Sequence, residues 1–211
     1  DNSNGGFFKV DTVGNYNISQ EYLKNTCILK TAFNNGFDEF HIIDYMPRYQ
    51  TKKKSYYSPP EITRIIKYIK GNPKIRITYD PRLDYSIGKT KSYVKSNFIV
   101  SISENENYET LFLYSNASLN KIINNEVIEL DSDLFFKISY YEKLISPKFK
   151  EITLEFNKTK KYWTNWINKT PKFKKYNNEI LRSALTLKLL TYQKTGAVLA
   201  AVTTSLPETV G

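Results

Sequence analysis

The sequence is short of the residues that most enzymes use for nucleophilic or metal chemistry. It contains one cysteine, one histidine and one methionine in 211 residues. With Cys27 alone, no disulfide can form within the chain, and a cysteine-based zinc cluster is excluded. The longest apolar run has about six residues, far short of the roughly 20 that a membrane-spanning helix needs. We therefore expect neither a metal cofactor nor a membrane partner.

Positive charge is in excess, with a formal net charge of +10 and a pI near 9.4. The lysines are spread along the whole chain, and scattered excess charge more often serves solubility than a binding patch. No motif of a DNA- or RNA-binding family accompanies it. We therefore do not expect a nucleic-acid partner, although a basic nucleic-acid-associated protein stays open as an alternative that salt-dependent retention on a polyanion would reveal.

Runs typical of β-strands recur at intervals of about ten to fifteen residues. The clearest is 74–80, which alternates strictly between apolar and polar residues, as a half-buried strand does. Asn34-Asn35-Gly36 stands between two such runs and predicts a hairpin turn. Short strands with turn signals between them favour an antiparallel sandwich. Further predicted strands are 98–102, 111–114, 127–130, 134–140 and 152–156.

Helical patterns replace this series near the C-terminus. Tyr162 and Trp166 lie four residues apart, on one face of an amphipathic helix that we expect between 157 and about 168, since Pro171 disfavours helix before it. From Ile180 onward the apolar set is so wide that it predicts a helix buried within a multi-helix assembly. Gly196 stands where a left-handed C-cap would end this helix. We expect the following run, 197–202, to be buried.

Few side chains outside the C-terminal segment indicate a catalytic or binding role. His41 is flanked by strand-like residues, which indicates a structural or surface role. The acidic pairs all stand in turns, where Asp satisfies the local backbone: Asp38/Glu39, Asp80/Asp84 and Asp131/Asp133. The 17 tyrosines and 12 phenylalanines either fill strands or form a carbohydrate surface. Tyr56-Tyr57 and Tyr140-Tyr141 are adjacent, so at most one tyrosine of each pair can point outward from a strand.

Segment 182–208, RSALTLKLLTYQKTGAVLAAVTTSLPE, closely resembles the start of the catalytic domain in glycoside hydrolase family 15. That family contains bacterial and archaeal glucoamylases, glucodextranases and trehalase-like enzymes. The chain departs from the family pattern at Val202, where proline is usual. Weaker similarities extend the resemblance over most of the chain: 44–47 (DYMP) and 80–85 (DPRLDY) are similar to segments of the family's N-terminal β-domain, and Trp163 and Trp166 to the paired tryptophans of its linker.

The resemblance implies a mainly β fold with C-terminal helices. It divides the chain into an antiparallel β-sandwich over 1–156, a linker helix over 157–176, and the first helix of an (α/α)6 barrel within 177–211. It also implies a strand at 62–69, where four isoleucines at helical spacing predict a helix and the density of β-branched residues predicts a strand. Both ends of the chain look cut, so we expect an internal piece of a longer protein, with the first strands of the β-domain missing.

By the same resemblance, the complete protein is an inverting hydrolase that releases glucose from the non-reducing end of an α-linked glucose oligosaccharide or of trehalose, without a cofactor. Thr203, Thr204 and Ser205 would line the entrance to the sugar-binding crater, while Glu208 would be structural. The general acid and base would lie further along the barrel, outside this chain, which alone is expected to be inactive. The partner of this piece would be the rest of the barrel. A non-catalytic carbohydrate-binding module is the alternative.

Overall fold

The structure is a computed structural model that describes residues 5–53, 55–193 and 195–200. Strands dominate the first two thirds of the chain and helices the last third. The strands are β1 (Phe7–Thr12), β2 (Asn17–Tyr22), β3 (Leu29–Asn34), β4 (Glu39–Tyr45), β5 (Tyr49–Gln50), β6 (Tyr56–Tyr57), β7 (Glu61–Lys70), β8 (Lys74–Asp80), β9 (Thr90–Val94), β10 (Ile99–Ser103), β11 (Thr110–Ser115), β12 (Val127–Glu129) and β13 (Leu134–Tyr140). The helices are α1 (Leu119–Ile123), α2 (Phe149–Ile167) and α3 (Asn177–Leu190), with a short 3-10 turn at Asp84–Ser86.

The strands form one large sheet and one small sheet, in which all neighbours are antiparallel. The large sheet has eight strands in the order β2-β3-β4-β7-β13-β11-β10-β9, and the small sheet has the order β1-β8-β12. β5 and β6 pair separately as a short hairpin. This arrangement confirms a mainly β, antiparallel fold and agrees with the predicted sandwich. No helix in the described residues is long and apolar enough to cross a membrane.

Both faces of the eight-stranded sheet are covered, which gives the molecule three layers and two apolar cores. Because successive strand residues point to opposite faces, Ile66 and Phe136 pack against Ile75 of the small sheet. Their neighbours Ile65 and Phe135 enter the second core, which contains residues of α2 and α3. Burial on both faces explains why several strands read as continuous apolar runs rather than alternating ones.

Three local predictions are confirmed. The hairpin around Asn34–Gly36 joins β3 to β4, and Gly36 has a φ of 93°, the left-handed conformation that favours glycine in a tight turn. Segment 74–80 is β8. Segment 61–70 is β7, although its isoleucines have helical spacing. Ile65 and Ile66 are buried on opposite faces of the sheet, whereas Ile62 and Ile69 are each 46% exposed.

The strand predicted at 152–156 is wrong, because these residues belong to α2, which begins at Phe149. Helix formation buries, wholly or partly, a stripe whose members recur every three or four residues: Phe149, Ile152, Phe156, Thr159, Trp163 and Ile167. The helix starts directly after Pro147-Lys148, and the Glu151 carboxylate accepts from the Lys148 backbone N–H at 2.9 Å, which satisfies an otherwise unpaired donor at the helix start. The predicted end of this helix near residue 168 is confirmed, since α2 ends at Ile167.

The end of α3 also differs from the prediction. The helix stops at Leu190 rather than at Gly196, and Thr191 then forms an antiparallel bridge with Val198. Gly196 does have a positive φ of 78°, but its backbone N–H donates to the Tyr192 carbonyl within this tight turn, so it is not a helix cap. The burial predicted for 197–202 is wrong for the described residues 197–200, which are exposed.

Candidate functional site

The predicted substrate residues Thr203, Thr204 and Ser205, together with Glu208, lie outside the described residues. The structure does show how the segment leading towards them is anchored. Arg48, which follows β4, anchors this segment. It is only 5% exposed. One guanidinium nitrogen, Nη1, donates to the Leu189 carbonyl at 3.1 Å, and Nη2 donates to the Thr191 carbonyl and to Gln193 Oε1, both at 2.8 Å.

Arg48 therefore binds the C-terminal end of α3, where carbonyls lack intrahelical partners and the helix dipole favours a cation. The guanidinium also lies near the rings of Tyr162 and Trp163 on α2, 5.8 and 5.5 Å from their centroids. Its backbone N–H donates to the Thr159 hydroxyl at 3.3 Å. One side chain after β4 thus joins the sheet to both long helices.

The residues just before Arg48 have the same connecting role. Asp44 accepts from Nε and Nη2 of Arg64 on β7, at 2.7 and 3.0 Å. Tyr45, which is 3% exposed, donates to Glu155 Oε1 on α2 at 3.2 Å. Burial raises the pKa of the Tyr45 phenol, and the neighbouring carboxylate raises it further. Segment 44–48 therefore connects β4, β7, α2 and α3, which is a physical reason for its specific sequence.

A buried cluster of charges lies between the sheet and α2. Lys137 Nζ is 2.6 Å from Glu61 Oε2 and 2.8 Å from Glu155 Oε2. The side chains of Lys137, Glu61 and Glu155 are 5%, 1% and 12% exposed. Burial raises the pKa of Glu61, and the Lys137 ammonium offsets only part of that increase. We refer to Glu61, Lys137 and Glu155 as the buried charge cluster.

The buried charge cluster has the residue types of an acid–base pair but not its accessibility. Glu155 also accepts from the Tyr45 and Thr63 hydroxyls, and the Tyr57 hydroxyl donates to Glu61 at 3.4 Å. Hydrolysis by two carboxylates needs room for the sugar and for a water molecule between them, whereas Lys137 occupies that space here. The cluster therefore connects the sheet to α2 and does not present its carboxylates to a substrate.

Two cavities lie beside the β5–β6 hairpin and share Tyr56. The first, a groove of about 420 Å³, is lined by four lysines, Lys158, Lys161, Lys169 and Lys188, and by Tyr49, Gln50, Tyr56, Tyr162, Asn165 and Trp166. The second, a pocket of about 380 Å³, is lined by Tyr56, Ser58, Tyr192 and Gln193. We call them the lysine groove and the tyrosine pocket. Both volumes lie in the range of small-molecule sites.

The remaining candidates from the sequence have structural surroundings. His41 Nε2 lies 3.1 Å from Glu39 Oε1 on the same strand. Burial raises the pKa of the Cys27 thiol, against the opposing effect of the nearby Arg182 guanidinium. Asp38 accepts from the Asn72 backbone N–H at 2.8 Å, and so connects the turn after β3 with the turn after β7 rather than satisfying only its own turn. Asp84 is buried and accepts from side-chain amides of the loop between β10 and β11 rather than only from its own turn.

Sequence reasoning missed Arg48 and the buried charge cluster. A signal existed for Lys137, a lone charge inside the apolar strand Leu134–Tyr140. Its partners lie on β7 and α2, and no spacing rule links residues so far apart in the chain. The predicted alternation is confirmed for one tyrosine pair, since Tyr56 is 52% exposed and Tyr57 is half-buried. It is wrong for the other pair, because Tyr141 follows the end of β13 with a φ of 62° and its ring lies 4.3 Å from that of Tyr140.

Comparison with known proteins gives several trehalases as relatives of this chain. Trehalases of Thermoplasma acidophilum and Thermoplasma volcanium are each 29% identical over the whole chain, which covers 37% and 34% of their lengths. A trehalase of Mycobacterium tuberculosis is 30% identical over 70% of the chain and 23% of its own length. The chain thus spans about a third of these relatives or less. No solved structure gives a significant match.

A match over the first half of the chain identifies its family. Residues 1–117 match the sequence profile of the family described as "Trehalase-like, N-terminal". The match covers β1 to β11, and so includes segments 44–47 and 80–85, together with Arg48 and Glu61. This chain belongs to the trehalase-like N-terminal family.

Proposed function

We propose that the chain is the N-terminal part of a glycoside hydrolase of family 15 that hydrolyses trehalose. It comprises a β-domain, a linker helix at Phe149–Ile167 and the first helix of an (α/α)6 barrel at Asn177–Leu190. The observation that carries this proposal is that both Thermoplasma trehalases align with the whole chain. The similarity therefore includes α3 and the segment that resembles the start of the barrel.

The apolar surface of α3 supports its assignment as a barrel helix that packs against further helices in a longer protein. Leu185 is 3% exposed and packs with Leu181 and Ala184 against the core beneath the sheet. On the opposite side of the helix, Leu187 is 59% exposed. A helix that is apolar on two sides is typical of a layered helical assembly. Covering Leu187 would contribute about 1–2 kcal/mol, the share of the roughly 1.5–3 kcal/mol for a fully exposed leucine that corresponds to its exposed surface.

In the proposed mechanism, one barrel carboxylic acid protonates the leaving oxygen while a second carboxylate activates water on the opposite face of the glucose ring. Neither group belongs to this chain. Its contribution is to hold the barrel start in place through Arg48, and to supply Thr203, Thr204 and Ser205 to the entrance of the sugar-binding crater. The chain alone should therefore be inactive, and glucose release by the isolated 211 residues would contradict this division of roles.

The test is a hydrolysis assay with the complete gene product. Trehalose, maltotriose and isomaltose are each supplied, and the released glucose is followed by proton NMR before mutarotation. Inverting cleavage of trehalose yields one β-glucose from the attacked ring and one α-glucose from the leaving ring, so equal early signals are expected. A retaining enzyme would give α-glucose alone. Glucose from maltotriose or isomaltose but not from trehalose would mean that the substrate is an α-linked glucose oligosaccharide instead of trehalose. No glucose from any of the three sugars would overturn the proposed function.

A further inference from the structure

The tyrosine pocket is built from two parts of the chain that lie far apart in sequence. Tyr56 and Ser58 belong to the segment around β6, and Tyr192 and Gln193 directly follow α3. Tyr56 and Tyr192 are 52% and 48% exposed. Half-exposed aromatic rings on opposing segments provide apolar surfaces that solvent can reach.

Buried groups hold both walls of this pocket. Tyr57, the neighbour of Tyr56, turns inward, where its ring stacks on Tyr49 at 4.9 Å and its hydroxyl reaches Glu61. Because adjacent strand residues point in opposite directions, Tyr56 must face outward. On the other wall, Arg48 Nη2 donates to Gln193 Oε1 at 2.8 Å, which directs the amide nitrogen of Gln193 away from Arg48. Buried partners therefore hold Gln193 on one wall and, through Tyr57, the strand that carries Tyr56 on the other.

The chemistry of the tyrosine pocket suits a neutral polyol. Among the described residues, its lining contains no charged side chain: it combines aromatic rings with hydroxyl and amide groups that both donate and accept. A sugar ring offers C–H faces to aromatic surfaces and hydroxyls to such groups, and amphipathic aromatic side chains suit this combination. The adjacent lysine groove, with four ammonium groups, would instead favour an anion. Tyr56 separates the two environments.

We infer that the tyrosine pocket binds a glucosyl unit of the α-glucoside substrate, so that the N-terminal domain contributes to substrate recognition. This inference rests on the proposed function. The pocket lies on the segment that leads to Thr203, Thr204 and Ser205, and its volume of about 380 Å³ is within the range of ligand sites. Tyr56 provides the ring surface, and Arg48 acts as a positioning residue through Gln193.

The test compares steady-state kinetics of the complete gene product with those of two variants. Tyr56→Ala removes a ring of the pocket, and Tyr141→Ala removes a tyrosine of equal exposure, 52%, that does not line it. Loss of one aromatic contact should raise KM for the hydrolysed glucoside about fivefold to tenfold and leave kcat within about twofold, as for a binding contact present in both ground and transition states. Tyr141→Ala should change neither, and Tyr56→Phe should retain most of the affinity.

The outcomes distinguish a failure of this inference from a failure of the proposed function. If the wild-type protein hydrolyses a glucoside and Tyr56→Ala has an unchanged KM, the inference is wrong and the proposed function stands. If the wild-type protein hydrolyses none of the three sugars, saturation-transfer NMR with maltotriose decides. A signal that is lost in Tyr56→Ala but kept in Tyr141→Ala supports the pocket, and an absent or unchanged signal overturns it. Matching circular dichroism spectra establish that the variants are folded.

Discussion

Replacing Lys137 by methionine should destabilise the protein severely, because it leaves two carboxylates buried without their shared cation. Lys137 is 4% exposed, and its ammonium lies 2.6 and 2.8 Å from oxygens of Glu61 and Glu155. Methionine keeps much of the side-chain volume and removes the charge. Removing one partner from a buried ionic group typically costs about 3–5 kcal/mol. That is a large part of the roughly 5–15 kcal/mol by which a domain is stable.

The measurement is urea unfolding of the 211-residue chain at neutral pH, followed by tryptophan fluorescence. Trp163 is 2% exposed and lies on α2, the helix that carries Glu155, so its emission reports on the contact between helix and sheet. Lys67→Met is the matched control. Lys67 also pairs with a carboxylate, Asp133 at 2.7 Å, but its side chain is 48% exposed, and an exposed pair contributes less than about 1 kcal/mol.

A triple variant distinguishes an unpaired charge from lost packing. Glu61→Leu, Lys137→Met and Glu155→Leu together remove the whole buried charge cluster while keeping similar side-chain volumes. Replacing a complete buried ionic group by apolar residues is often neutral or stabilising, so this variant should recover most of the loss. A cost below about 1 kcal/mol for Lys137→Met alone would refute the reasoning, as would a triple variant that is no more stable than the single one.

Two further predictions concern other parts of the fold. Burial raises the pKa of Glu61 above its ordinary value of 4.5, so the folded state binds this proton more tightly than the unfolded state does. Ionisation of Glu61 should therefore lower the free energy of unfolding as pH rises above about 4.5, and Glu61→Gln should remove that slope in urea titrations across this range. Tyr85 has a φ of 51° and is 82% exposed. Tyr85→Gly should raise the free energy of unfolding by about 1 kcal/mol, since left-handed backbone costs roughly that much in other residues. A lower melting temperature for Tyr85→Gly would contradict this.

Much of the β-structure could be predicted because its signals are local. The alternation in 74–80 and the Asn-Gly turn after β3 describe a strand and a hairpin wherever they occur. Segment 61–70 was ambiguous from its residues alone, and it is a strand because the sheet buries Ile65 and Ile66 on opposite faces. The error at 152–156 has the same origin. Its β-branched residues suit a strand, but the pattern that continues to Ile167 buries a helical stripe.

The predicted site was only partly within reach of local reasoning. A long motif predicts a site around Thr203, which lies outside the described residues, whereas Arg48 and Gln193, which a hydrogen bond joins in the structure, lie 145 residues apart. Hydrogen bonding between such residues depends on how β4, α2 and α3 pack, and no sequence spacing encodes that packing. The same applies to Tyr56 and Tyr192, which form one pocket only in the folded chain.

The sequence by itself determined the family resemblance, the predominance of antiparallel strands and the presence of helices near the C-terminus, because these follow from composition, periodicity and contiguous motifs. Only the tertiary structure decided that Glu61, Lys137 and Glu155 meet in the interior and that Arg48 holds the end of α3. Burial and electrostatic pairing are properties of neighbours in space, and the neighbours of a residue are set by the packing of whole layers.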